Sequence, residues 1–99
     1  MTRPTRLSDA EIASALPGLP GWEIREGKLH RAFRFPSFAR AFGFMSSAAL
    51  VAEAMNHHPE WSNVYDRVVV DLTTHDAQGL SALDLELATR MNELAGESR

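Results

Sequence analysis

Ninety-nine residues, 44% of them hydrophobic and 23% charged, suffice for one soluble globular domain with a modest core, expected to occupy all of residues 1–99. A formal charge of −3 leaves no basic stripe for nucleic acid, and no segment approaches the apolar length of a membrane span, so neither partner is expected. The absence of cysteine excludes disulfides and thiolate metal sites and fits a reducing, cytoplasmic setting.

Met1 to Arg6 carries two arginines with no apolar run behind them. A frayed start is expected there rather than a secretory signal, and residues 96–99 read as a frayed polar tail. Ser8-Asp9-Ala10-Glu11 is a capping box, which predicts a short helix to about Leu16. Pro17-Gly18-Leu19-Pro20-Gly21 breaks it. Trp22–Arg25 and Leu29–Phe35 are strand-like and flank Glu26-Gly27-Lys28, a hairpin turn. Ser37, after Pro36, caps the longest helix, along which Phe38, Ala41, Phe42, Met45, Ala48, Ala49, Ala52 and Met55 recur at helical spacing. Gly43 in its interior costs about 1 kcal/mol relative to alanine, so either a close packing contact explains it or the helix tolerates the loss.

Pro59 disfavours helical geometry at His58 and ends this helix near the paired histidines. Trp61–Tyr65 and Val68–Thr74 predict a second hairpin around Asp66-Arg67. Val68, Val70 and Leu72 share one of its faces, while Val69, Asp71 and Thr73 share the other. Gly79 marks a loop and Ser81 caps the last helix, with Asp84 at its N3 position. Leu80, Leu83, Leu87, Ala88, Met91 and Leu94 form its apolar stripe. The order α-β-β-α-β-β-α predicts an α+β two-layer sandwich: a four-stranded antiparallel sheet with helices packed on one face.

Of the four histidines, His57, His58 and His75 fall at the ends of elements, where the chain leaves regular geometry and imidazoles can converge on one cavity. Imidazole exchanges protons near neutral pH, which points to acid–base chemistry. Two other readings stand beside it. Three imidazoles can bind zinc, with Glu60 and Asp76 as possible extra ligands, although adjacent histidines are a weaker metal signal than an i, i+4 pair. They could also simply cap the helix and bond backbone carbonyls. No Gly-x-Ser-x-Gly elbow, Gly-x-Gly-x-x-Gly or P-loop is present, so nucleophilic, dinucleotide and nucleoside triphosphate sites are unsupported.

At these residues the chain resembles the pterin-4a-carbinolamine dehydratase family. The matching residues run from Phe33 through Phe38-Ala39-Arg40-Ala41-Phe42-Gly43-Phe44-Met45, Ala52-Glu53 and His57-His58-Pro59-Glu60-Trp61. They continue through Asn63-Val64-Tyr65, Val68, Thr74-His75, Gly79-Leu80-Ser81, Asp84 and Leu87-Ala88, with Gly21-Trp22 upstream. The resemblance covers nearly the whole chain.

It implies dehydration of 4a-hydroxytetrahydrobiopterin or a related 4a-hydroxytetrahydropterin to quinonoid dihydropterin, without metal or organic cofactor, in a homodimer or homotetramer. It also implies a functional link to aromatic amino-acid hydroxylases, whose product this substrate is. On the family's pattern His57, His58 and His75 form the catalytic cluster. His57 is the leading acid/base, His75 shares proton transfer and His58 orients the pterin. Groups around His57–Pro59 and at Thr74, His75, Asp76 and Ala77 bind its amide edge. Glu53, one turn before His57, could orient that imidazole. Asp84 could assist from the next helix, and Trp22 and Trp61 could wall the pocket or belong to the core. Asn56 and His30 are given no catalytic role, His30 being expected at the surface or in a cross-strand pair. The competing function is a protein-binding or transcriptional coactivator module of the same fold.

Overall fold

Local chemistry places the turns and helix ends, and the structure, a computed structural model, describes residues 4–96. Of the residues expected to fray, 1–3 and 97–99 lie outside the described residues, whereas Arg6 donates to the Gln78 carbonyl and the Gly96 amide to the Glu93 carbonyl. Ser8 Oγ accepts from the Glu11 amide and Glu11 reaches back to the Ser8 amide, closing the capping box of α1 (Asp9–Ala15). Pro17 then tightens the chain into a 3-10 turn over Leu16–Gly18. Glu26 and Gly27 both take positive φ, 53° and 79°, the conformation that joins β1 (Glu23–Arg25) to β2 (Lys28–Arg34) with the twist a hairpin needs.

Ser37 caps α2 (Phe38–Met55), accepting from the Arg40 amide. The second hairpin joins β3 (Glu60–Val64) to β4 (Arg67–Leu72). Its turn is Tyr65-Asp66, one residue earlier than expected. Tyr65 takes the left-handed conformation (φ 53°), and Asn63 Nδ2 donates to the carbonyls of Tyr65 and Arg67 on either side. A 3-10 turn over His75–Ala77 leads to α3 (Ala82–Leu94), whose N-terminus carries the Ser81/Asp84 capping box.

The four strands are antiparallel in the order β1-β2-β4-β3, with Phe33 opposite Val68, Leu29 opposite Leu72 and Trp61 opposite Val70. The helices pack on the face that carries Leu29, Phe33, Val68, Val70 and Leu72, and Ala41, Ala48, Ala52, Leu87 and Met91 close the core from their side. Trp22 meets Phe33 edge-on and donates its Nε1–H to Asn92 Oδ1 at 2.8 Å, inside this core. Arg31 stacks its guanidinium over Phe33 and also donates to Asn92 Oδ1.

Three expectations about α2 change. Phe44, absent from the predicted stripe, is buried and packs on Phe33 and Phe35, whereas Phe38, Phe42 and Ala49 are exposed. This helix carries apolar residues on every side, so periodicity cannot choose the inner face. Gly43 is also exposed, and a Cβ built there meets nothing within 4 Å. No packing contact within the chain requires that glycine.

Candidate functional site

The site begins where α2 stops. Asn56 adopts the left-handed conformation (φ 52°, ψ 43°), and its amide and that of His57 turn back to the carbonyls of Ala52 and Glu53. This left-handed step points His57 inward while His58 stays outside. His57 Nε2 lies 2.6 Å from Asp84 Oδ1, with the imidazole almost closed off from solvent and the carboxylate fully buried. Asp84 is the N3 residue of the α3 capping box, so one carboxylate both caps a helix and holds an imidazole. Its Oδ2 accepts from Thr74 Oγ1 at 2.6 Å and from the Ser81 amide at 2.9 Å.

These bonds order the protons. Thr74 spends its hydrogen on Asp84, so in the 2.7 Å contact between the two hydroxyls Ser81 donates to Thr74. Ser81 Oγ in turn accepts from the Leu83 amide. With Asp84 accepting throughout, His57 carries its hydrogen on Nε2. Its Nδ1 has no partner among the described residues, and no buried side-chain N or O atom there lacks one. Nδ1 is therefore the ring nitrogen left without a partner among the described residues.

Outside His57 lies a cleft of about 430 Å³, ample for a small bicyclic ligand. His57, His58, Pro59, Glu60, Thr74 and His75 line it, with Asp76, Thr73, Asn56, Pro4 and Leu83 completing the wall. His58 Nε2 contacts Glu53 Oε1 at 2.9 Å, and His75 Nε2 contacts Glu60 Oε2 at 3.3 Å. The three imidazole side chains are thus graded in exposure at 9%, 57% and 80%, and each has its own carboxylate. Among the described residues no group of three or more His, Cys, Asp or Glu is placed to hold a metal ion.

Glu60 also takes a 2.6 Å bond from Lys28 Nζ at its other oxygen. That hydrogen bond is the main cause holding the Glu60 carboxyl below the usual range. Desolvation opposes it, and the charge of Lys28 and the contact with His75 assist it. The same bond raises Lys28 above its ordinary value.

The structure brings His57, His58, Pro59, Thr74, His75 and Asp76 to one cleft, but five expectations need correction. Glu53 pairs with His58 rather than His57, because the left-handed Asn56 carries His57 away from the helix surface. His75 stands on the 3-10 turn beyond β4, not at the strand's end. Ala77 is outside the cleft, and its amide closes that turn onto the Thr74 carbonyl. Trp22 sits in the core against Asn92 and Phe33, and Trp61 packs on the core from β3, so neither walls the cleft.

Sequence reading missed Ser81's part in the Asp84 network and Glu60 as the partner of His75. A carboxylate directly after the His-His-Pro turn was the signal for Glu60. Nothing local marked Ser81 beyond its capping role. His30 stands apart from the cleft, paired across strands with Asp71 at 2.9 Å and touching Arg25.

A model of the family described as pterin 4 alpha carbinolamine dehydratase matches residues 5–94. A Solibacter usitatus protein named "Putative pterin-4-alpha-carbinolamine dehydratase" is 57% identical over 91 residues, covering 92% of this chain and 96% of its own length. A protein of the same name from Sinorhizobium medicae is 53% identical over 95 residues, covering 94% and 90%. The crystal structure of a transcriptional coactivator/pterin dehydratase from Brucella melitensis is similar with a TM-score of 0.90 and 47% identity, covering 93% of this chain and all of that one.

Proposed function

The chain belongs to the pterin 4 alpha carbinolamine dehydratase family, and from that premise we propose that it dehydrates a 4a-hydroxytetrahydropterin to quinonoid dihydropterin and water by histidine acid–base catalysis. The observation that carries this reading is the buried Asp84–His57 pair in the wall of a cleft that His58 and His75 also line. In the reaction the bond from the carbinol carbon to oxygen breaks and its electron pair leaves with the oxygen. An acid protonates the departing hydroxyl to water. The neighbouring ring nitrogen supplies the pair for the new C=N bond, and a base takes its proton. Positioned acid–base catalysis of this kind contributes typically about 10²–10⁴-fold.

His57 is the leading proton-transfer group, since Asp84 fixes both its tautomer and its ring plane. His75 shares proton transfer from the 3-10 turn after β4, and His58 orients the pterin beside Pro59. In the cell the reaction serves tetrahydropterin recycling in the cytoplasm, after an aromatic amino-acid hydroxylase, with residues 1–99 acting as one domain. Exposed Phe38, Phe42 and Leu50 along α2 favour a homodimer or homotetramer. Among the described residues no helix is long and apolar enough to cross a membrane. The same exposed α2 face is what a second reading, a protein-binding coactivator, would use.

Stopped-flow mixing with freshly made 4a-hydroxytetrahydropterin tests the proposal. Dehydration well above the spontaneous rate, lost in His57→Ala, is the expected result. No acceleration by the wild-type protein sinks the dehydratase reading and leaves the binding module.

A further inference from the structure

His75 is the most exposed of the three imidazoles, 80% open to solvent, and packing does not fix the ring. Its ionic contact is with Glu60, whose two oxygens meet different partners. Oε1 accepts from Lys28 Nζ at 2.6 Å and Oε2 meets His75 Nε2 at 3.3 Å. Lys28 opens β2 and Glu60 opens β3, so the lysine reaches across the end of β4, which lies between them. A charge from the first hairpin is thereby delivered to the rim of the cleft.

We propose that Glu60, anchored by Lys28, is a positioning residue for His75. It accepts the Nε2–H and so presents Nδ1 of that imidazole to the substrate. The inference rests on the dehydratase reading and deepens it. Among the described residues, the other charged groups nearby make no bond to Glu60. Asp71 faces Glu60 across the β3–β4 ladder but is bonded to His30, which also meets Arg25. Glu26 acts on Lys28 only through charge, Asp76 follows His75 on the turn, and His58 is held by Glu53. Lys28 is the cation bonded to Glu60 itself. Its hydrogen bond lowers the Glu60 carboxyl below the usual range, so the carboxylate stays ionised, and able to accept, further into acid.

Two variants test this in the stopped-flow dehydration, with the His75 tautomer read by ¹⁵N NMR. Glu60→Gln keeps the shape of a half-exposed side chain and removes its charge. Its kcat should fall about tenfold, less than the full loss of an acid–base group, with KM within about twofold, and the His75 ring should pass from one Nε2–H tautomer to a mixture. Lys28→Met raises the pH at which Glu60 protonates, so the acid-side fall of kcat should begin at higher pH than in the wild type. A Glu60→Gln enzyme with wild-type kcat overturns the inference, as does a fall in kcat with an unchanged His75 tautomer or an acid limb that ignores Lys28→Met. An inactive wild type overturns the dehydratase reading and this inference with it, whereas an active wild type indifferent to Glu60→Gln overturns this inference alone.

Discussion

Replacing Asp84 separates the positioning task proposed for its carboxylate from the structural one. In Asp84→Asn the amide can still satisfy its surroundings. Its oxygen accepts from Thr74 Oγ1 and the Ser81 amide, and its NH₂ turns to His57 Nε2, at the positions of the native 2.6, 2.9 and 2.6 Å contacts. Hydrogen bonds to a charged group contribute about 1.5–3 kcal/mol and neutral ones about 0.5–1.5. The weakening is partly offset by relief of a fully buried charge, so the variant should lose only about 1–3 kcal/mol of stability. The consequence for His57 is larger. An amide donating to Nε2 forces the imidazole hydrogen onto Nδ1, and the nitrogen proposed as the base becomes a donor. Loss of the correct tautomer should lower kcat by about 10²–10⁴. Asp84→Ala instead strands three donors in a buried site and should cost about 3–5 kcal/mol, enough to threaten folding. Thermal unfolding of both variants, single-turnover dehydration by Asp84→Asn and ¹⁵N NMR of its His57 ring provide the readouts. An Asp84→Asn protein that shows the Nδ1–H tautomer yet dehydrates at the wild-type rate would refute the role given to His57.

Asn92→Ala removes the acceptor of the buried Trp22 Nε1–H and should destabilise the fold by about 1–3 kcal/mol in urea titration; a change below about 0.5 would mean that the indole finds another partner. Gly43→Ala, at an exposed α2 position open to a Cβ, should stabilise by about 1 kcal/mol. A lower melting temperature there, accompanied by a smaller oligomer on sizing, would instead place a second copy against Gly43. The Lys28–Glu60 pair gives a pH dependence with a definite sign. Because Glu60 is lowered by Lys28, its contribution is present above the unfolded carboxyl's pKa, near 4.3, and is lost as pH falls through the lower folded value. Because Lys28 is raised by Glu60, the basic end persists until pH passes its folded value, above about 10.4. The melting-temperature gap between wild type and Lys28→Met should therefore be open near neutrality and close as the solution is taken to about pH 3; a gap that stays constant refutes the pair as its source.

What was legible in the chain was what short segments decide. Ser8 with Glu11, Ser81 with Asp84, the Glu26-Gly27 turn and the stop imposed by Pro59 act within a few residues, and each predicted element formed near its expected bounds. The inner face of α2 was not legible, since Phe38, Phe42 and Phe44 are equally apolar and only the position of β2 against the helix, through Phe33 and Phe35, selects Phe44. The residue types of the site were readable from the clustered histidines, but their pairings were not. Glu53 looked like the partner of His57 because helical spacing was extended one residue too far, past the left-handed Asn56. The true partner, Asp84, lies 27 residues away in sequence; the resemblance offered it as an assisting group, but its capping position did not say which imidazole it would hold.

The three carboxylates also explain why three similar imidazoles need not share one task. His57, 9% exposed against a fully buried Asp84, is held where water screens little, so the pair fixes both tautomer and ring plane. His58 and Glu53, 57% and 80% exposed, form a contact that solvent weakens, which suits a ring that adjusts to a bound ligand. His75 is as open as Glu53, yet its partner Glu60 is held in place from behind by Lys28. A carboxylate held at one oxygen loses less freedom on engaging a second donor than one swinging in solvent. His57 is thus the ring most firmly held, while His58 keeps the shorter contact, 2.9 Å against 3.3 Å, and His75 the partner that is itself anchored. On the proposed reading, anchorage of the partner carboxylate, rather than exposure of the ring, is what would let His75 share proton transfer with His57 and leave His58 to follow the ligand.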